Sequence, residues 1–357
     1  MKKHTTIAVD IAKSVFEIAV SDRPGHVSER QRLTRARMLA FFRERPPAVV
    51  VLEACGSAHP LGRELGEMGH EVRLLPPKHV RPYVLRDKTD RTDARALLEA
   101  NRNEEIKPVP VKTVGQQALS AVHRLRSGWL RTRTARLNTL RGILRELGVT
   151  IPVGARHVES RVLEVLGAGR VSQPLAMLLT SSLGEIRQLE QSIAEADRQL
   201  KNLAREMDSV VRLQTIPGIG LLTATALVAS VGEPSRFRSG RRLASFLGLV
   251  PREHSSGQTR FLGRITKRGD PYLRTLLTHG ARSALLAAAR RRNKGGALDR
   301  LGQWGLELSQ RRGHNRATIA MANKLARLAW AIWSRHDVYR PVLQPPVPMI
   351  TDMASTH

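Results

Sequence analysis

Five consecutive apolar residues at positions 48–52 are followed directly by an acid, Glu53. A run this short and this rich in valine is typical of a strand that is buried on both faces. Such a strand needs helices on both sides of its sheet, which favours an α/β layer architecture. A carboxylate at the end of a buried strand also needs a partner, because an isolated charge is costly to remove from water.

The segments on either side of that run alternate between strand-like and helical patterns. Short apolar or alternating stretches predict strands, and apolar residues spaced three or four apart predict helices. The predicted strands are residues 5–10, 15–21, 27–33, 48–52 and 71–75, and the predicted helices are residues 35–42, residues 60–68 and one that begins near Asp90. This order, βββαβαβα, is the ribonuclease H-like topology and predicts a mixed sheet.

Positive charge is in large excess: 59 lysine and arginine residues stand against 31 acids, a formal net charge of +28. Such a surplus is typical of a protein that binds nucleic acid, because cationic side chains release counterions condensed on phosphates. The alternative is a basic protein whose charge only keeps it soluble or lets it contact anionic lipid. No apolar run approaches the ~18 residues of a membrane span, so we expect no membrane partner. The single cysteine, Cys55, favours a cytoplasmic protein without disulfides.

Residues 116–148 form a predicted helix with seven arginines and a single acid, Glu146. Like charges along one helix repel each other unless a polyanion neutralises them. We therefore predict phosphate contacts from this helix, with a solvated basic face as the alternative. The arginines are Arg124, Arg126, Arg131, Arg133, Arg136, Arg141 and Arg145.

A second helical segment carries apolar residues at alternating spacings of three and four. A seam of this kind, three heptads long, is typical of a coiled coil. It predicts self-association of the chain, and a two-helix hairpin within one chain is the alternative. The seam residues are Ile186, Leu189, Ile193, Ala196, Leu200, Leu203 and Met207.

Four acids are candidates for a metal site. Asp10 ends the first predicted strand, and Glu53 ends the buried one. Asp90 and Asp93 are three residues apart and so share one face of a predicted helix. Several carboxylate oxygens can hold two divalent cations, which stabilise the attacking and leaving oxygens of a phosphoryl transfer. An ordinary helix cap is the alternative for an aspartate at a helix start.

Residues 215–220 read TIPGIG and lie between two helical segments. Helix, PGIG turn and helix form a helix-hairpin-helix signature, in which Gly218 and Gly220 would let backbone N–H groups approach a phosphate. The alternative is an ordinary helical turn with a glycine cap.

A loop at residues 248–274 places Ser255 and Ser256 before Gly257, with cationic side chains downstream. A serine hydroxyl becomes a nucleophile only where a base or metal activates it and cations stabilise the developing charge. Most serines in such loops are turn residues, so chemistry alone leaves this role open. The candidate phosphate-binding cations are Arg260, Arg264, Lys267 and Arg268.

These motifs belong to segments that follow one another along the chain: AVDIAKSVFEIAV, VVLEACGSAH, KTDRTDARAL, TIPGIGLLTA, RLASFLGLVPREHSSG and TKRGDPYLR. As an ordered set they resemble the transposases of the insertion-sequence 110 family and its 1111 subgroup, over about residues 5–105 and 207–335. The resemblance implies an α/β plus all-α chain. Its expected parts are a RuvC-like DEDD domain at 1–105, a basic helical linker and coiled coil at 106–206, a small helical transposase domain at 207–338 and a disordered proline-rich tail at 339–357.

The resemblance also implies how such a chain acts. Magnesium, with manganese as a substitute, would be bound by Asp10, Glu53, Asp90 and Asp93. Ser256 would attack a DNA phosphodiester and form a covalent protein–DNA intermediate. Implied partners are double-stranded DNA of the element ends and the target, a structured non-coding guide RNA, and further copies of the chain in a dimer or tetramer.

Three other functions compete with this interpretation. A metal-only nuclease of the Holliday-junction type would keep the acids and not use the serine. A sugar-kinase or actin-type nucleotide binder also opens with a strand ending in Asp, but residues 11–13 contain no glycine for a phosphate loop. A non-catalytic scaffold would bind duplex or backbone, since 13 aromatic residues in 357 leave little base stacking.

Overall fold

The structure is a computed structural model that describes residues 5–84, 89–169 and 171–344. The chain forms two compact units. Unit one is Met1–Gln117 with Val231–Glu233, and unit two is Ala118–Ser230 with Pro234–His357. Within the described ranges, no helix is both long enough and apolar enough to cross a membrane.

Unit one is built around a mixed β-sheet. Its strands are β1 (Thr6–Ile11), β2 (Val15–Ser21), β3 (Glu29–Thr34), β4 (Val49–Glu53) and β5 (Glu71–Leu75), and its helices are α1 (Arg35–Arg43), α2 (Ala58–Glu67), the short α3 (Pro77–Val80) and α4 (Asp90–Asn101). The strand order is β3-β2-β1-β4-β5. β1 pairs antiparallel with β2 and parallel with β4, as the ribonuclease H-like order predicts.

The two faces of this sheet bury different side chains, because successive residues of a strand point to opposite sides. Val9 and Leu52 pack in one cluster with Phe42 of α1 and Leu61 of α2. Their strand neighbours Ala8, Val49 and Val51 pack in a second cluster with Ala94 and Leu97 of α4. The run at 48–52 is therefore buried on both faces, as expected.

Unit two is largely helical. Its elements are α5 (Val114–Glu146, which starts in unit one), α6 (Arg156–Gly167), α7 (Gln173–Ala204), α8 (Asp208–Gln214), α9 (Leu221–Val231), α10 (Gly240–Phe246), β6 (Pro251–Glu253), β7 (Leu262–Ile265), α11 (Pro271–Asn293), β8 (Leu298–Asp299), α12 (Arg300–Arg312), α13 (His314–Arg335) and β9 (Leu343–Gln344). α13 packs against α8, α10, α11 and α12, and its buried face includes Met321, Leu325 and Trp333.

Helices α5 and α7 run antiparallel and are joined by ion pairs. Three of the α5 arginines that were expected to face a polyanion are paired with acids of α7: Arg126 with Asp197 at 2.6 Å, Arg133 with Glu190, and Arg136 with Glu185 at 2.8 Å. Repulsion along α5 is thus relieved within the chain. Exposed pairs of this kind each contribute about 0.2–1 kcal/mol.

The apolar seam on α7 also packs within the chain. Ile186 lies in one cluster with Leu140 and Leu144 of α5 and Val162 of α6. Further along the seam, Leu200 is fully buried. The helical hairpin, which was the alternative to self-association, is therefore what the single chain shows.

Part of the tail expected to be disordered is ordered. Strand β9 pairs antiparallel with β8, and the Tyr339 hydroxyl donates to Asp299 Oδ2 at 2.7 Å. The backbone N–H of Tyr339 donates to the Thr215 hydroxyl at 2.8 Å. Proline content misled the sequence prediction for 339–344, because these partners lie far away along the chain; residues 345–357 are outside the described ranges.

The PGIG turn between α8 and α9 packs closely against α11. Gly218 has a φ of +87°, and a Cβ there would lie 2.5 Å from the carbonyl oxygen of Gly280. A Cβ on Gly280 would in turn overlap the carbonyl of Gly218. Gly218 therefore serves helix packing rather than an open phosphate site, whereas Gly220 is exposed with open space around it.

His123 of α5 is 5% exposed and joins three helices. The Thr225 hydroxyl of α9 donates to the Leu221 carbonyl at 2.7 Å, so it accepts from His123 Nε2–H at 2.9 Å. Nδ1 then accepts the Tyr272 hydroxyl of α11 at 2.9 Å. Burial, and secondarily the charge of Arg126, lower the pKa of His123 to about 4.

Replacing Gly280 tests the contact with the PGIG turn. Gly280→Ala should lower the free energy of unfolding by about 2 kcal/mol, since overpacking against backbone forces a shift. Gly220→Ala is the matched control and should cost about 1 kcal/mol or less. Urea unfolding followed by circular dichroism measures both, and equal losses would contradict the packing role.

Acidification should lower the free energy of unfolding, because the hydrogen bonds of His123 require a neutral imidazole. The unfolded state binds a proton below pH 6.5 and the folded state only near pH 4, so stability falls as pH drops between these values. Between pH 7 and pH 5 the loss should be about 2 kcal/mol. Urea unfolding of the wild type and of His123→Gln at both pH values measures it; the same pH slope in both proteins would show that His123 does not titrate as described.

Candidate active site

Two of the candidate acids lie side by side at the carboxyl ends of parallel strands. The β1–β4 register pairs Ala8 with Val51 and Val9 with Leu52, so Asp10 and Glu53 are the next pair. Ala8 and Val51 point to the face that α4 covers. Asp10 and Glu53, two residues further along their strands, share that face, and both are half-buried.

Helix α4, which includes the positions of the other two acids, packs over this face. Asp93 precedes the buried residues Leu97 and Ala100 by four and seven positions, so it lies on the side of α4 that faces the sheet. Asp90 is the first residue of α4. The side chain of Asp90 lies outside the described part of the structure.

The helix start does not depend on Asp90 as its cap. Thr89 is the N-cap: its hydroxyl accepts from Thr92 N at 3.2 Å, and Thr89 N donates to the Thr92 hydroxyl at 3.0 Å. This capping box replaces the cap that was the alternative role of Asp90.

The carboxylates suit a hard divalent cation in their chemistry. Magnesium prefers carboxylate oxygens, and Asp10, Glu53 and Asp93 supply them from one layer of the fold. Among the described side chains, no three histidine, cysteine or acidic residues lie close enough together to hold a metal ion. The residues fit the donor type, and the set of ligands stays a prediction.

Ser256 lies at the turn of a β-hairpin in unit two. Strands β6 and β7 pair antiparallel, and Ser256 and Thr259 exchange backbone hydrogen bonds of 3.2 and 3.1 Å across the turn. Gly257 takes a φ of +56°, which glycine adopts readily. The Ser256 side chain is exposed at this tip.

The neighbouring serine is engaged within the hairpin. The Ser255 hydroxyl donates to Glu253 Oε1 at 2.9 Å, and Arg260 Nε donates to the same oxygen at 3.1 Å. These two hydrogen bonds, Ser255 first, lower the pKa of Glu253. Arg260, predicted to contact phosphate, is thus paired with an acid in this structure, while Ser256 is on the outer turn.

The base of the hairpin is fixed by close backbone contacts. A side chain at Gly248 would overlap the carbonyl of Arg268, and one at Gly269 would overlap the carbonyl of Phe246. Asn323 of α13 donates to the Leu249 carbonyl at 3.1 Å. The hairpin therefore projects from a rigid attachment on the helical core.

The structure separates the predicted phosphate-binding cations into two groups. Arg141 donates to the carbonyls of Ile151, Pro152 and Gly154 at 3.2, 3.0 and 2.7 Å, so it holds the turn after α5. That use could not be read from spacing, because the turn residues are apolar or glycine. The exposed members of the predicted set are Arg124, Arg131, Arg260, Arg264, Lys267 and Arg268, and of these Arg260 is paired with Glu253.

Sequence reasoning missed charged residues that continue the acid row across the sheet. Asp10 of β1 pairs with Glu17 of β2, and Glu17 pairs with Arg32 of β3. Directly opposed residues share a face, so Glu53, Asp10, Glu17 and Arg32 form one row on the α4 side. The signal in the sequence that could have identified Glu17 and Arg32 is that they are charged residues within predicted strands.

Comparison with protein families adds independent information. Residues 7–149 match the model of DEDD transposases of the IS110 type, described as "Transposase". Residues 210–295 match the model described as "Transposase IS116/IS110/IS902 family".

Curated relatives match over nearly the whole chain. A probable family 20 transposase of Pseudomonas aeruginosa is 44% identical, covering 94% of this chain and 98% of its own length. The transposase for insertion sequence element IS1111A of Coxiella burnetii is 38% identical over 95% of this chain and 92% of its own length. The transposase for element IS1328 of Yersinia enterocolitica is 34% identical over 95% and 99%.

Proposed function

Because this chain belongs to the IS116/IS110/IS902 family of insertion-sequence transposases, we propose that it cuts and rejoins DNA with a metal-binding carboxylate cluster and a nucleophilic serine. Family membership makes it a DNA transposase with a ribonuclease H-like DEDD domain. The roles of individual residues, the metal and the guide RNA are the proposed part.

One observation carries the carboxylate half of the proposal. Asp10 and Glu53 end adjacent parallel strands on the one sheet face that α4 covers, and α4 presents Asp93 toward that face. Parallel pairing brings strand ends together, and this edge is where α/β sheets place their ligands. Asp10, Glu17 and Glu53 are charged although most of the other residues of β1, β2 and β4 are apolar and buried.

Asp10, Glu53, Asp90 and Asp93 are the proposed ligands of Mg²⁺, or of Mn²⁺ in its place. Bound there, the metal supplies Lewis-acid stabilisation of phosphate oxygens. The carboxylates would hold this metal and orient it toward the phosphate.

Ser256 is the proposed nucleophile. Its hydroxyl oxygen would form a bond to the DNA phosphorus while the bond to one strand oxygen breaks, and the departing strand would take up the proton. One phosphodiester is exchanged for another, so a second strand hydroxyl can reverse the step without an external energy source. Arg264, Lys267 and Arg268 are exposed near the hairpin base and are proposed to bind flanking phosphates.

The proposed partners follow from charge and family. The phosphates of two partners would neutralise the net charge of +28: double-stranded DNA of the element ends and target, and a structured guide RNA. Arg124 and Arg131 of α5 and the exposed turn at Gly220 offer surface for their backbones. Assembly of the chain as a dimer or tetramer in the bacterial cytoplasm, on the nucleoid, completes the proposal.

Metal-only cutting by activated water is the second candidate, as in Holliday-junction nucleases. It is favoured by the placement of the acids alone, since that arrangement does not require a serine. The two mechanisms differ in product: water leaves a free nick, and serine leaves DNA attached to protein.

Neutralising single carboxylates should remove cleavage and spare DNA binding. Asp10→Asn or Asp93→Asn is expected to lower the cleavage rate at least about a hundredfold, because a metal ligand is lost while the basic surface is unchanged. Cleavage of labelled DNA with Mg²⁺ and guide RNA, beside a filter-binding measurement, checks both quantities. Asp22→Asn, an exposed acid outside the cluster, is the control. Full cleavage in EDTA would overturn the metal role.

Ser256→Ala should eliminate a denaturant-resistant protein–DNA adduct. The adduct is expected when wild-type protein, Mg²⁺, guide RNA and a suicide DNA substrate are combined, and it is detected by gel shift in dodecyl sulfate. Ser255→Ala is the matched control and should retain the adduct, since that hydroxyl is bonded to Glu253. Peptide mapping of the DNA to Ser255, or nicking by Ser256→Ala without any wild-type adduct, would reject Ser256 as nucleophile.

A further inference from the structure

A basic cleft lies beside the row of carboxylates in unit one. It has a volume of about 440 Å³ and is lined by Glu17, Arg30, Gln31, Arg32, Thr89 and Arg91. Three of these residues are arginines and one is an acid. The cleft lies between strands β2 and β3 and the start of α4.

Strand register fixes the distance from this cleft to the proposed catalytic acids. Arg32 is opposite Glu17, and Glu17 is opposite Asp10. Neighbouring strands are about 4.8 Å apart, so the backbones at Arg32 and Asp10 are separated by about 10 Å. A single nucleic-acid strand can therefore reach both places at once.

Arg30 and Arg91 are held close to each other although their positive charges repel. Arg30 Nη1 donates to the Arg91 carbonyl at 3.2 Å, which joins β3 to α4. Partial burial, then the positive charge of Arg91, lowers the pKa of Arg30, and the charge of Arg95 adds to this while Glu17 opposes it. A cluster of cations with one acid is best stabilised by a further anion.

Geometry and exposure favour a phosphate as that anion. Arg32 and Arg91 are exposed, and their guanidinium groups can each donate two hydrogen bonds to phosphate oxygens. Arg30 is half-buried and positions the start of α4. The cleft is polar, so a phosphodiester suits it better than an apolar ligand would.

We propose that this cleft binds a backbone phosphate of the DNA strand on which the Asp10, Glu53 and Asp93 carboxylates act. Arg32 and Arg91 contact the phosphate. Glu17 lies between Arg32 and Asp10 in the sheet, so it separates the arginines from the proposed metal-binding carboxylates. The inference rests on the proposed function, because it takes the substrate strand of that site as its ligand. It adds a contact that sets where along the strand the acids act.

The test couples one protein change with one DNA change. Full-length protein binds fluorescent DNA of the element junction in which single phosphates are replaced, one at a time, by uncharged methylphosphonates. In the wild type, one replacement near the cleavage position should weaken binding about tenfold or more, the effect of losing charge-assisted hydrogen bonds. Arg32→Gln with Arg91→Gln should weaken binding of unmodified DNA similarly and be insensitive to that replacement.

The control variant makes the same charge change on the opposite side of the sheet. Arg37→Gln with Arg43→Gln alters exposed arginines of α1 and should leave the full methylphosphonate effect in place. If the loss of binding caused by the Arg32/Arg91 substitutions and the loss caused by the methylphosphonate simply add, the cleft is not the phosphate site. The same conclusion follows if the Arg32/Arg91 and Arg37/Arg43 variants respond equally to the methylphosphonate. Coupling seen with an RNA strand of the same sequence and absent with DNA would overturn the assignment to DNA.

Failure of this inference is separable from failure of the proposed function. If Asp10→Asn loses cleavage but the Arg32/Arg91 substitutions show no coupling to a methylphosphonate, only the phosphate site in the cleft is rejected. Coupling at the cleft together with full cleavage by Asp10→Asn rejects the carboxylate mechanism, and with it the claim that the bound phosphate belongs to the strand those acids process.

Discussion

The parallel pairing of β1 with β4 is the constraint on which the rest of unit one depends. It joins two strands that are distant in sequence, and helices cover the sheet on both faces, α1 and α2 on one and α4 on the other. Burial of Val9 and Leu52 on one side fixes the register, since a slip by one residue would turn every apolar side chain to the other face. That register is also what sets Asp10 beside Glu53.

Much of unit one could be predicted from sequence, because its signals are local. The valine-rich run and the acids at strand ends follow from period and burial alone. Other contacts could not be predicted: Arg126 pairs with Asp197 and Gly218 packs on Gly280, both remote along the chain. Arg141 holds the turn that follows its own helix, but its partners there are backbone carbonyls of apolar or glycine residues, which leave no signal in the spacing of charges.

The proposed nucleophile is an exposed side chain attached to a rigid support. Ser256 is on a turn that is exposed to solvent, yet the hairpin base is held where Gly248 and Gly269 leave no room for a side chain. Glu253 orders the cationic and hydroxyl groups next to that turn. A mobile tip would lose orientation, and a buried one would not admit a duplex.

Because β9 pairs with β8, the helical core is complete only after the last described segment of the chain has been synthesised. Tyr339 connects Thr215, near the start of the helical core, with Asp299, so residues separated by 124 and 40 positions are fastened together by one late segment. Translation proceeds from the N-terminus at about 5–20 residues per second, and the sheet of unit one with α1 to α4, which all precede α5 in the chain, can fold while the helical core is still incomplete. A ribosome-bound chain that stops before residue 339 therefore presents its acids without a finished serine-bearing core.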